Sequence, residues 1–68
     1  MDFHLTSGND GTFLIRPLNA KAEVWWKDND MRSRFVVDNT QNDFCIIKSV
    51  NQKEVCDEIR EANFDFAN

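Results

Sequence analysis

Cys45, Cys56 and His4 are the residues of this 68-residue chain whose side chains could serve as nucleophile, base or soft metal ligand. A thiol attacks as its thiolate and needs a base beside it. The single histidine lies near the start of the chain, far in sequence from both sulfurs. Cys45 sits inside the apolar run Phe44-Cys45-Ile46-Ile47 and Cys56 beside an apolar helical stripe, settings in which cysteine acts as a small hydrophobe. Eleven positions separate the two sulfurs, unlike the short paired spacing of zinc ligands. The acidic turns Asn9-Asp10 and Asp38 to Asp43 lack the alternating pattern ending in Glu that builds a calcium loop. Gly8 and Gly11 are not followed by Lys-Ser or Lys-Thr and lead into a strand, so no phosphate loop is read there. Glu54, Asp57, Glu58 and Glu61 are spaced as i,i+4 neighbours and read as a solvated helix face. On this reading the chain has no catalytic residue, no cofactor site and no metal site.

The cluster with recognition chemistry is Trp25, Trp26, Lys27, Arg32 and Arg34, with Lys21 nearby. Indole planes anchor protein contacts or stack bases, and cations steer acidic partners. Adjacent helical residues point about 100° apart, so one indole is expected in the core and the other at the surface or an interface.

Positioning these residues requires a small set of elements. Phe3 to Thr6 and Thr12 to Arg16 are strand-like runs flanking Ser7-Gly8-Asn9-Asp10-Gly11, whose Gly, Asn and Asp tolerate positive φ, so a β-hairpin is expected. Leu14 interrupts its polar face. Pro17 ends the second strand, and Asn19 is placed to cap a short helix through Trp26 that Asp28-Asn29-Asp30 stops. Leu18, Ala22, Trp25 and Trp26 would line its inner side. Met31 to Val37 reads as a third strand, Asp38 to Asp43 as a loop, and Phe44 to Ile47 as a fourth strand in preference to the start of a helix. Asn51 with Glu54 resembles a capping box, with Val50 and Val55 as its hydrophobic staple, for a helix whose stripe continues through Ile59 and Ala62. Asn63 is suited to a left-handed helix end, after which Phe64-Asp65-Phe66 forms either a short strand or a tail returning two rings to the core.

The order β-β-α-β-β-α, with a short C-terminal β as an option, defines one α+β domain spanning residues 1–68: a two-layer arrangement of an antiparallel sheet with two helices on one face. A chain this short builds one core, and its six Phe and two Trp make that core bulky. Self-association, as a homodimer, is one way such a chain adds burial. Two cysteines and the lack of a basic, apolar leader suit the reducing cytosol. The apolar runs fall far short of the ~20 residues that span a bilayer. The formal charge is −4, divided as −2 over residues 1–15, +2 over 16–34 (five Lys/Arg against three Asp/Glu) and −4 over 35–68 (three against seven). Phosphate backbones are therefore repelled in bulk, and direct nucleic-acid binding would fall to the middle segment, through Arg16, Lys21, Lys27, Arg32 and Arg34.

The runs Ile15-Arg16-Pro17-Leu18, Ala22 with Trp25-Trp26, Phe35-Val36-Val37 and Ile59-Arg60-Glu61-Ala62-Asn63-Phe64 resemble small accessory proteins of phages and bacterial mobile elements. In those proteins a glycine commonly follows the last helix, where Asn63 stands here. The resemblance implies a small non-enzymatic modulator and carries over no functional residue. The expected function is a protein-interaction module without catalysis. The alternative is a regulator of nucleic-acid transactions, by direct binding through the middle segment or by acidic mimicry of DNA through the C-terminal helix.

Overall fold

The computed structural model describes residues 1–38 and 44–67. Strands β1 (Phe3–Ser7) and β2 (Thr12–Pro17) pair antiparallel from Phe3 opposite Pro17 to Ser7 opposite Phe13. Asp10 (φ 53°) and Gly11 (φ 77°) take left-handed conformations in succession at the turn. A Cβ on Gly8 would lie 2.5 Å from Thr12 Oγ1, so a side chain here would force the turn to shift. That Oγ1 donates to the Asn9 carbonyl at 2.6 Å and closes the turn.

Asn19 caps α1 (Ala20–Asp28) by accepting a bond from the Ala22 N–H at 2.8 Å. Leu18 precedes the cap and is 37% exposed, so it does not join the helical stripe formed by Ala22, Trp25 and Trp26. Asn29 ends the helix, its backbone and side-chain N–H groups both donating to the Trp25 carbonyl.

Asp30 is left-handed (φ 56°) and redirects the chain into a second helix, α2 (Met31–Phe35). This corrects the expected strand over Met31 to Val37, of which only Val36 and Val37 are extended, at the start of β3 (Val36–Asp38). The two periods are hard to separate there, because Met31 and Phe35 share a side in either. With Met31 and Phe35 buried and Arg32, Ser33 and Arg34 all exposed, one helical turn fits the burial, whereas strand alternation would turn Ser33 inward with the two apolar residues.

The loop expected over Asp38 to Asp43 lies, beyond Asp38, outside the described residues. The expected fourth strand is present as β4 (Cys45–Lys48), with Phe44 just before it. A 3-10 turn, Ser49–Asn51, then leads into α3 (Gln52–Glu61). Asn51 has helical dihedrals and makes no side-chain cap bond, and Val50 is 85% exposed, so the capping box and staple expected there do not form. A cap residue must be extended for its side chain to reach back to the first free N–H groups, and the 3-10 turn removes that geometry.

The other end of α3 is well terminated. Asn63 (φ 66°) donates to Arg60 O at 2.9 Å and Phe64 N–H to Ile59 O at 3.2 Å, the two bonds of a Schellman motif. Its usual apolar contact corresponds to Phe64 and Ile59, both members of the core cluster. The chain then returns as β5 (Phe66–Ala67), parallel to β1.

The sheet order is β3-β4-β2-β1-β5, mixed rather than wholly antiparallel because β5 arrives from α3 and runs alongside β1. Three α-helices, not two, are found among the described residues. Alternation along the strands sends Phe3, Phe13, Ile15 and Ile47 inward, where they join Ala22, Trp26, Met31, Phe35, Val55, Ile59 and Phe64 in one cluster. Phe3 is its hub, 0% exposed, with the rings of Trp25, Trp26, Phe64 and Phe66 at centroid distances of 5.7–6.4 Å. Tilted and edge-on pairs of this kind contribute roughly 0.5–1.5 kcal/mol each beyond the area they bury.

Candidate functional site

Of the five residues expected to bind a partner, Trp26 is buried, Trp25 is half-buried, and Lys27, Arg32 and Arg34 are exposed. Trp26 is 5% exposed and belongs to the core, its ring 5.8 Å from that of Phe3. Trp25 is half-buried, edge-on to Phe3 and Phe64, and presents only part of its ring. Lys27 is exposed and pairs with Glu23 one helical turn back at 3.4 Å. Arg32 is exposed on α2, where its charge acts on the Cys45 thiol. Arg34 reaches across to α3 and grips Glu58 with both terminal nitrogens, at 2.8 and 2.6 Å, which holds its guanidinium above its usual pKa range. That bidentate pair ties α2 to α3.

The sheet separates the groups that thiol chemistry would need together. His4 lies opposite Arg16 in the β1–β2 ladder, whereas Cys45 lies opposite the buried Ile15, so imidazole and sulfur face opposite sides. Burial pushes both thiols up. At Cys45 the Arg32 charge and the Trp26 indole N–H pull the other way without overcoming it, and at Cys56 Arg60 does so. Among the described residues no group of three His, Cys, Asp or Glu is placed to hold a metal ion.

Two other surfaces stand out. On α3, Glu54, Asp57 and Glu61 line a shallow groove of about 570 Å³ with the exposed Val50 at its edge and the Arg34–Glu58 pair in its wall. Lys53 and Arg60 partly balance it through Asp57, at 2.8 and 3.9 Å.

The second surface is the sheet face turned away from the helices, carrying His4, Thr6, Leu14, Arg16, Phe44, Ile46 and Lys48. None of these belongs to the core cluster or to the apolar side chains packed against it. Leu14 and Ile46 are direct cross-strand partners, as are His4 and Arg16. The Arg16 guanidinium stacks 5.0 Å above the Phe44 ring, and the His4 ring meets that ring edge-on at 6.2 Å. His4 Nδ1 and Arg16 Nε are nevertheless buried with no hydrogen-bond partner. Leu14, the apolar residue that breaks the polar side of the hairpin, was the sequence signal for this face. Its neighbours were not legible, because cross-strand pairing decides which residues join it.

No protein-family model matches the chain, and neither a curated protein nor a solved structure matches it. Among the described residues no helix is long and apolar enough to cross a membrane.

Proposed function

We propose that this chain is a non-catalytic protein-interaction module, acting in the cytosol as a small accessory protein that modulates a partner protein, in the manner of phage and mobile-element modulators. The observation that carries the reading is the sheet face turned away from the helices. It combines an apolar centre, Leu14 and Ile46, with the Arg16 guanidinium stacked on Phe44 and the exposed Lys48. Apolar side chains rimmed by polar and charged ones on an otherwise uncovered sheet face fit a surface that meets another molecule. The recognition surface is thus moved from the tryptophan pair to the sheet.

A photo-crosslinking residue at Thr6, on this face, is expected to capture a discrete partner in cells, while the same residue at the exposed Val24 of α1 captures none. Equal adducts at both positions, or none at either, would overturn the reading.

A second reading, acidic mimicry of DNA, is supported by the carboxylates along the α3 groove. It predicts that the chain displaces DNA from a basic protein in a gel shift and binds no DNA itself. Direct nucleic-acid binding has less support, since Arg16 lies on the sheet while Lys27 and Arg34 are held in ion pairs on the helical layer.

A further inference from the structure

We infer that the turn between β1 and β2 is a site of covalent self-modification, at which the Asp10 carboxyl and the Gly11 amide nitrogen react to give isoaspartate. The inference goes beyond the interaction-module reading and does not depend on it. Thr12 N–H donates to Asn9 O at 3.2 Å across Asp10 (φ 53°) and Gly11 (φ 77°), which makes these two the central pair of a type I′ turn. The Gly11 N–H makes no hydrogen bond among the described residues. Gly11 also has no Cβ to shield that nitrogen, and apart from its chain neighbours nothing lies within 4 Å of where one would stand. The Asp10 carboxylate has no hydrogen bond or ion pair among the described residues, and both residues are exposed. Nucleophile and electrophile are thus adjacent, unengaged and open to water.

The other described aspartates each lack one of these conditions. The carboxylates of Asp2, Asp57 and Asp65 are engaged by Asn19, by Lys53 and by the N-terminal amine. Asp38 takes part in an interaction of its own. Asp28 is followed by Asn29, whose N–H is held by Trp25 O, and Asp30 by the fully buried Met31.

The reaction balances with water as its only co-reactant. The Gly11 nitrogen attacks Asp10 Cγ and an N–Cγ bond forms. The amide proton passes to solvent, a carboxyl oxygen leaves as water, and a cyclic imide closes. Water then adds to an imide carbonyl. Addition at the former main-chain carbonyl breaks its bond to nitrogen, which frees that carbon as a carboxylate and leaves Gly11 joined through Cγ, with the main chain one methylene longer. The structure shows what this would disturb. Gly11 O accepts the Ser49 N–H at 2.7 Å and so fastens the turn to the junction where β4 gives way to the 3-10 turn before α3. A lengthened main chain at position 10 displaces that carbonyl and loosens the junction.

The test is to age the full chain, folded, in warm near-neutral buffer. Isoaspartate is counted by enzymatic methyl transfer to its new carboxyl and located by electron-driven fragmentation of the intact chain. The isomer is expected to accumulate first at position 10, and Asp10→Glu is expected to reduce it to the background of the other positions, because the larger ring closes far more slowly. Asp10→Asn keeps a residue suited to the same left-handed position and is expected to reach the same isoaspartate faster, with ammonia leaving in place of water. In the aged wild-type chain the Ser49 amide is expected to lose protection from hydrogen exchange. First accumulation elsewhere, an Asp10→Asn chain that stays unconverted, isomer that forms only when the chain is unfolded in urea, or a Ser49 amide unchanged in the isomerised chain would each overturn the inference.

Discussion

Two residues side by side in α1 carry very different shares of stability. Trp26 is sealed into the core, while Trp25 lies over its edge. Truncating a buried Trp costs about 3–5 kcal/mol, against about 3–10 kcal/mol for the whole stability of a domain this size. Trp26→Ala is therefore expected to lose most of its folded population in a urea titration, whereas Trp25→Ala stays cooperative with a lower midpoint. Asp2 holds a different kind of position. Its carboxylate accepts from Asn19 Nδ2 at 2.9 Å and from the Asp65 N–H at 3.0 Å, tying both chain ends to the α1 cap, and these bonds lower its pKa, that from Asn19 most. A carboxyl whose folded pKa is depressed adds stability above its ordinary pKa and loses it as pH falls through the folded value. Asp2→Asn is thus expected to lower the melting temperature at neutral pH and to flatten its fall at acid pH, as thermal melts across a pH series would show.

At the scale of elements, α3 is held by its inner stripe and its C-terminal motif rather than by its start. Val55 and Ile59 are 0% exposed, whereas Val50 is largely solvated. Ile59→Ala is expected to cost about 2–5 kcal/mol, and Val50→Ser less than about 0.5 kcal/mol. A substantial loss on Val50→Ser in equilibrium denaturation would mean that the staple exists after all. The same comparison explains why α2 is short: its two inward residues, Met31 and Phe35, are one turn apart, and the chain leaves for β3 directly after them.

For the whole molecule, the two thiols report how the single core opens. Cys56 is buried at 5% exposure and Cys45 is partly buried at the edge of the same core. A thiol-specific reagent is expected to modify Cys45 first, and Cys56 only at a rate that tracks global unfolding through added denaturant. Burial raises both thiol pKa values, so the folded chain keeps protons that the unfolded chain releases. Their contribution to stability is complete below the ordinary thiol pKa and is lost as pH climbs above it, giving a decline on the alkaline side that Cys45→Ser and Cys56→Ser should each reduce. Simultaneous modification of both cysteines without denaturant would contradict a single cooperative core.

Local chemistry was readable wherever a residue answers to its immediate neighbours. The Gly8 to Gly11 turn, the Asn19 cap, the stop after Asp28 and the left-handed Asn63 all follow from backbone preferences of single residues, and the inward positions of Phe3, Phe13, Ile15, Val55 and Ile59 follow from period. What the chain could not declare locally is where competing local preferences meet distant partners. Met31 to Phe35 is a helix because one turn buries both apolar residues and leaves Ser33 between them in solvent. Asn51 lost its capping role to a 3-10 turn after β4, and β5 lies parallel to β1 because α3 returns the chain to that edge. The candidate surface belongs to this second kind. His4, Leu14, Arg16, Phe44 and Ile46 are spread over more than half of the chain, and only pairing between strands brings them onto one face, since each strand by itself records alternation but not which neighbour it will lie against.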